Sequence, residues 1–477
     1  MHIIALVVLI VSWLVLILCA VPTAVLADTC YVRDGGTATG SSGCAASGGN
    51  WNIANAYDQM PTTIRGNTYL VAAGTYNGFT LNTANSGTTL ITIKKSTVAS
   101  HGTSTGWLDS YAATRANFGQ VLTYTDYVLI DGVTRNESNW NDGAAYGFHF
   151  NSFRTNPPTN VGKHYTIQYV DAGGTDGAIC HYLPSASCDA GVETAESFYI
   201  TGFDSNPATD WIVSHFRSHN VKLPFQMAGA HDVLIEYGWI GPNWNKQAIR
   251  GGNQNQSYNI TIRYNKIVDG CRGDPLDGTA RACTAHIAIW DTTTAGWLDN
   301  NNIYGNVILE THPFPDEQTD GLQHSNGCIR IGGGDAFAGV VANNSHIYNN
   351  TIAGQDGSAS IHDCAVSISS AGTGNLSANN IWYVTGNVTT GCGGTCANNT
   401  AYTDATQFVN PVVSYPGTGF DYHLAKATVA GTTLSAPYNQ DMDGVTRGSD
   451  GTWDRGAYEF GSGDVMPPAA PTGVTIQ

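Results

Sequence analysis

Four segments between Trp211 and Asn387 follow one plan at uneven spacing: a turn, a short apolar run, a small-residue bend and an Asn-rich strand. The apolar runs are Gln247–Gly252, His286–Asp291, Cys328–Gly333 and Cys364–Ser369. The strands that follow them are Asn259–Ile267, Asn302–Ile308, His346–Ile352 and Asn380–Val384. One such unit cannot bury its apolar face alone. Repeats of this size, made of short β segments, must stack into a solenoid with one continuous core. A solenoid presents long faces, and long faces suit long polymers.

Composition agrees. The chain carries 56 glycines and only 12% charged residues, which suits an all-β protein rich in tight turns and not a helical one. Its formal charge is −17, all of it after residue 27, because residues 1–27 contain no Asp, Glu, Lys or Arg. Such a surface excludes nucleic acid, whose binding depends on Lys and Arg contacts to phosphate. An acidic polysaccharide would be accepted only through cations or a local basic patch.

Residues 1–27 read as a secretion signal, with an apolar stretch from Ile3 to Val21 and a small-residue cleavage site ending at Ala27. The stretch is nearly long enough to span a bilayer, so membrane contact is expected only if it stays uncleaved. Of the 11 cysteines, Cys19 lies in this segment and an even number follow it. Cys30 with Cys44, Cys180 with Cys188, Cys271 with Cys283 and Cys392 with Cys396 are close in sequence, and Cys328 and Cys364 begin corresponding runs on adjacent rungs. Zinc-type cysteine spacing is absent, so disulfides in an oxidising compartment are expected, in a secreted or cell-surface protein.

Two stretches carry a family resemblance. Arg65-Gly66-Asn67-Thr68-Tyr69-Leu70-Val71-Ala72-Ala73-Gly74-Thr75-Tyr76-Asn77-Gly78 resembles the opening of secreted right-handed parallel β-helix proteins of the pectate lyase-like superfamily, with Asn67 where that pattern often has Asp. Asp441-Met442-Asp443-Gly444, Arg447 and Asp454-Arg455-Gly456-Ala457-Tyr458-Glu459-Phe460 resemble the terminus of bacterial β-helix proteins that include the choice-of-anchor Q group. The resemblance implies a right-handed parallel β-helix. Its expected divisions are an N-terminal cap and first coils over 28–125, the helix proper over 126–400, and C-terminal coils and cap over 401–460. Residues 461–477 form a linker or tail, whose end is similar to the first strand of a fibronectin type III-like module.

Strand alternation then places chemistry. Ile249, Ile287, Ile289, Ile329, Ile331, Val366 and Ile368 should face the core, leaving Arg250, Ala288, Trp290, Arg330, Ser367 and Ser369 outside. With rungs about 4.8 Å apart, Arg250, Trp290 and Arg330 would share one patch. The loops that precede the runs all enter the same face and would wall it. One contains Asp269, Asp274 and Asp277, oxygen ligands suited to Ca²⁺. Another contains Asp316, Glu317, Asp320 and His324, and a third contains Trp244 and Lys246.

This inventory suits β-elimination on a uronate-containing polysaccharide. That reaction needs the uronate carboxylate neutralised and its C5 proton removed by a base. Many polysaccharide lyases are right-handed β-helices with calcium held by loop carboxylates, and the resemblance implies the same here. Arg250, Arg330 and Lys246 are the candidate clamps and base, His324 a proton shuttle and Asp320 a further catalytic carboxylate. Trp290, Trp244, Asp316 and Glu317 are candidate substrate contacts, with Trp239 and Trp297 as further ring-stacking surfaces. No spacing matches a known lyase signature, so no family's catalytic residues are carried over.

Two other readings stand beside it. A glycoside hydrolase would use paired carboxylates from Asp316, Glu317, Asp320 and Asp291. A non-catalytic adhesin or glycan-binding matrix protein would use the same face only for binding. The arginines would then be surface ion pairs of small energetic value. Asn265, Asn306 and Asn350 are expected to form stacked side-chain ladders at bends.

Overall fold

The computed structural model describes residues 27–55, 63–155, 161–174, 196–203, 205–243, 247–252, 257–270, 285–290, 298–310, 328–332, 340–354, 366–369, 372–383, 395–412 and 419–461. Within them the chain is a right-handed parallel β-helix. A twelve-stranded parallel sheet, here the first sheet, runs from Thr29–Val32 to Thr395–Ala397. Each of its middle strands leads through a bend to a strand of the second sheet, then to a strand of the third, and back to the first one rung on. One such turn is Ile260–Arg263, Lys266–Val268 and Ile287–Trp290, followed by Asn302–Tyr304. Strands Ala116–Thr123 and Phe148–Arg154 are long enough to belong to both the second and third sheets.

The stretch that reads as one strand over Asn259–Ile267 is therefore two, broken at Tyr264-Asn265. Apolar periodicity does not show this break, because both halves point residues inward. The bend needs a left-handed backbone at its first residue. Tyr264, Asn349 and Asn379 adopt it with φ of 57°, 51° and 58°, at about 1–2 kcal/mol each for a residue with a Cβ. Asparagine at the second position offsets that cost. Asn265, Asn306, Asn350, Asn380 and Asn399 form a ladder, each Nδ2 donating to the next Oδ1 at 3.1, 3.0, 2.9 and 3.0 Å. The expected ladder is present, two rungs longer than the residues that suggested it.

Inside, like stacks on like. Ile249, Ile287 and Ile329 pair in register in the third sheet, as do Val233 and Ile260 in the first, all at most 1% exposed. Aromatic rings continue the columns towards the N-terminus, with Phe153, Phe198 and Phe225 stacked at centroid spacings of 5.5 and 4.6 Å. Each fully buried side chain of this kind contributes about 1.5–3 kcal/mol.

The Cys30–Cys44 disulfide ties the N-terminal cap to the first rung. Cys328 and Cys396 are also disulfide-bonded, whereas Cys180, Cys188, Cys271, Cys283, Cys364 and Cys392 lie outside the described residues, as do residues 1–26 and 462–477.

Residues 405–412 and 419–460 do more than end the solenoid. They pack along its side and form a second apolar cluster. Phe420 stacks on Trp239 at 5.7 Å, Tyr438 packs edge-on against Tyr304 and Tyr348, and Ala457 N–H donates to Thr351 Oγ1 at 2.9 Å. Trp239, a candidate sugar-stacking surface by sequence, is covered and only 7% exposed. The Asp441…Arg447…Glu459 motif folds this segment. Asp441 accepts from Asp443, Val445 and Glu459 amides, and Arg447 Nη2 donates to the Gly456 and Ala457 carbonyls, both at 2.9 Å. These motif residues are structural.

One contact within the segment makes its stability pH-dependent. His423 Nδ1 meets Asp421 and Nε2 lies 2.6 Å from Asp443, while Tyr458 stacks on the ring and Lys266 faces Asp421. Burial opposes the charged ring, but the two carboxylates prevail and raise its pKa to about 9. A pKa raised on folding gives stability that is complete below the unfolded value of about 6.5 and is lost as pH rises through about 9. The melting temperature should accordingly fall between pH 6.5 and 9.5, and His423→Gln should flatten that fall. A wild-type curve already flat over this range would count against the contact.

Candidate functional site

The outer face of the third sheet carries a continuous lateral column. Register pairs Arg154 with Tyr199, Tyr199 with Gln226, Gln226 with Arg250, Arg250 with Ala288, Ala288 with Arg330, and Arg330 with Ser367. The alternation read from sequence holds: Ile249, Ile287, Ile289, Ile329, Ile331, Val366 and Ile368 all point into the core. Ala288 does face outward, but it is only 1% exposed, because it is the small residue between two arginines.

Trp290 pairs with Gly252, one column over, and the Arg250 guanidinium lies 5.1 Å from its ring centre. Arg154 repeats the arrangement over Tyr199, at 4.7 Å. Each cation–π contact is worth about 0.5–2 kcal/mol, and more as water is excluded. Arg250 is partly buried. Burial disfavours its charge and pulls its pKa down, with the nearby Tyr199 hydroxyl opposing the shift. Arg250 Nε and its register neighbour's Gln226 Nε2 are buried with no hydrogen-bond partner among the described residues. An unsatisfied buried donor costs about 1–3 kcal/mol, so two side by side mark a place where a ligand's acceptors would be stabilising once rotation of these side chains exposes them.

The four connections between second- and third-sheet strands occur at the same corner, as the repeats suggest. In sequence, these connections contain most of the other site candidates. Trp244, Lys246, Asp274, Asp277, Asp291, Trp297, Asp316, Glu317, Asp320 and His324 lie outside the described residues. Asp269 is described and buried at 1%, with its amide donating to Leu309 O at 2.8 Å. Beside this corner His286 Nε2 sits 3.6 Å from Glu310, and burial lowers the imidazole pKa to about 4, which keeps it neutral.

A second constellation was not anticipated. On the outer face of the second sheet, Asn117, His149, Asp171 and Arg217 occupy one column, with His219 two residues beyond Arg217. Asp171 is fully buried. Its Oδ2 contacts Arg115 Nη1 at 2.8 Å and His149 Nδ1 at 2.9 Å, and its Oδ1 contacts His219 Nε2 at 2.9 Å and Arg217 Nη1 at 3.3 Å. The 133–147 loop arches over this face. Asn141 accepts from Arg217 Nε at 2.9 Å, the Gly143 carbonyl accepts from Arg115 at 2.9 Å, and Trp140 receives the Lys266 ammonium 4.6 Å above its ring. The signal available in sequence was the polar residue inside Phe148-His149-Phe150 and Val170-Asp171-Ala172, which alternation puts outside. It was unreadable without knowing that a second-sheet strand begins there.

No family model matches the chain, and no curated protein matches it. Among solved structures, a PL6 family alginate lyase, AlyGC, aligns over 79% of this chain and 54% of its own, with 11% identity and a TM-score of 0.25. The chain thus spans about half the length of that structure. The fold assignment rests on the sheets themselves.

Proposed function

We propose that the protein is a secreted, carbohydrate-active β-helix that binds an acidic, uronate-containing polysaccharide along the third-sheet face and cleaves it by β-elimination. The observation that carries this reading is the pair of buried, unsatisfied donors, Gln226 Nε2 and Arg250 Nε, on a face otherwise formed by Arg154, Tyr199, Trp290 and Arg330. In a chain of net charge −17, a cationic strip of this kind suits an anionic ligand. Gln226 and Arg250 would take a uronate carboxylate and delocalise its charge, which acidifies the C5 proton. A base then removes that proton, the C4–O bond breaks as a C4=C5 double bond forms, and the departing oxygen takes up a proton from the acid just formed from the base or from water. Tyr199, beside Arg250, has a side chain able to act as base. Arg330, two rungs from Arg250, would hold a neighbouring uronate and Trp290 a sugar face. Calcium held by Asp269 with Asp274 and Asp277 belongs to the same proposal, as the alternative means of neutralising the carboxylate.

The test is ultraviolet absorbance of unsaturated uronate products on pectic, alginate and glycosaminoglycan substrates, with Ca²⁺ and with chelator. Absorbance should rise on one of them. Arg250→Ala should lower kcat/KM by about 10²–10³-fold, the scale of losing one charge-stabilising group. Tyr199→Phe should lower kcat by about 10²-fold with KM little changed. Absence of any rise, with binding of an acidic glycan retained and lost in Arg250→Ala, would convert the reading to a glycan-binding matrix protein. A rise in reducing ends without absorbance would point to hydrolysis instead.

A further inference from the structure

We infer that His149, Asp171 and His219 form a binding site for one divalent transition-metal ion, with zinc or cobalt best suited to its ligands. One donor atom from each residue lies within 4.8 Å of the other two. Ligands about 2.0–2.2 Å from a common ion stand roughly 3 Å apart. His149 Nδ1 and His219 Nε2 are each 2.9 Å from a different oxygen of Asp171. Among the described residues no other group of His, Cys, Asp and Glu meets this spacing.

The hydrogen bonding at His219 points the same way. Its Nε2 lies 2.9 Å from Asp171 Oδ1 and 3.0 Å from Arg217 Nη1. With a proton on Nε2, His219 donates to Asp171 Oδ1, but Arg217 Nη1 donates to the same oxygen at 3.3 Å, so two N–H donors crowd together 3.0 Å apart. Without that proton, the lone pair faces a carboxylate oxygen, so neither state is free of a like-charged contact. A cation accepting from Nε2 and Oδ1 together relieves both, once the Arg217 guanidinium withdraws from Nε2 while keeping its bond to Asn141.

The scaffold is rigid. The three residues sit on adjacent strands of one sheet, Asp171 and His219 fully buried and His149 8% exposed. Gly173 lies opposite His219, and a Cβ there would come within 2.0 Å of the His219 carbonyl oxygen. Glycine is what allows the two strands to pair this closely at His219. Two imidazoles and one carboxylate favour zinc, cobalt or nickel over calcium, which prefers oxygen. Arg115 and Arg217 orient the carboxylate as an outer shell, and their charge weakens the affinity of a dication. This centre lies on a different sheet from the face proposed to bind polysaccharide.

The experiment uses the full chain, stripped with chelator and then equilibrated with Zn²⁺ or Co²⁺. Metal analysis after dialysis should give about one zinc per chain, and the cobalt form should show visible d–d absorption. His149→Gln and His219→Gln should each weaken binding about tenfold or more with unchanged far-ultraviolet circular dichroism. Anomalous scattering at the zinc edge from wild-type crystals should place the ion among the three residues, and this decides the matter even where a variant fails to fold. Negligible zinc retention by the wild type, an anomalous peak elsewhere, or affinity unchanged in both variants would overturn the site.

Discussion

Replacing Arg447 with alanine is expected to detach the C-terminal segment from the side of the solenoid. The Arg447 side chain is fully buried, and its guanidinium bonds the carbonyls of Gln440, Asp454, Gly456 and Ala457 while lying 3.7 Å from Glu459. Removing it leaves buried carboxylates without their countercharge, a loss of about 3–5 kcal/mol for a broken buried pair. The cost will depend on pH. Burial already raises the Glu459 carboxyl to about 7, against the opposing pull of Arg447 and the Gly448 and Asp454 amides. A carboxyl raised on folding takes up its proton more readily in the native state. Its stabilising contribution is therefore present at low pH and lost as pH rises through about 7. Without Arg447 that pKa rises further, so the variant, destabilised at every pH by the lost carbonyl bonds, should lose least near pH 5 and most near pH 8.5. Limited proteolysis and urea melts at the two pH values would read this. Equal protection of the variant and wild type at pH 8.5 would show that the apolar contacts of Phe420, Tyr438 and Tyr458 alone hold the segment.

Asn306→Ala is expected to cost a similar amount by a different route. The Asn306 side chain is fully buried. Its Nδ2 donates to Ile262 O, Tyr304 O and Asn350 Oδ1 at 3.0, 3.2 and 3.0 Å, and its Oδ1 accepts from the Asn265 amide and Asn265 Nδ2 at 3.0 and 3.1 Å. Alanine leaves several of these groups buried without partners, at about 1–3 kcal/mol per group. Relaxation would share the loss, so about 3–5 kcal/mol in total is expected. Asn306→Asp should not rescue it, because aspartate keeps the acceptor but loses the donors and adds a buried charge. Asn410→Ala, at an exposed position with one bond to Gly419 O, is the control and should change stability by less than about 1 kcal/mol. If the two alanine variants melt alike in urea, the ladder is a consequence of the fold and not a support of it.

The two predictions mark what kind of information each level carried. The Asn ladder was legible because stacked rungs repeat one chemical requirement at one place, and a requirement met rung after rung shows as repeated letters. Alternation in the third-sheet strands was legible for the same reason: Ile249, Ile287 and Ile329 are one position repeated. That carried the Arg250, Trp290 and Arg330 face as well. The face's extension to Arg154, Tyr199 and Gln226 was not, since Glu196–Thr201 and Leu223–Ala228 lie in rungs of different length and share no visible motif with the later ones.

Sequence by itself determined the class of fold, the inward and outward faces of the third sheet and the asparagine bends, because each follows from a local period that stacking repeats. Tertiary structure alone decided three things. It split Asn259–Ile267 at Tyr264-Asn265, since a left-handed bend leaves no trace in apolar periodicity. It folded residues 419–460 back over Trp239, since docking depends on which surfaces meet and not on spacing. And it assembled His149, Asp171 and His219, which belong to three different rungs and become neighbours only when those rungs stack in register.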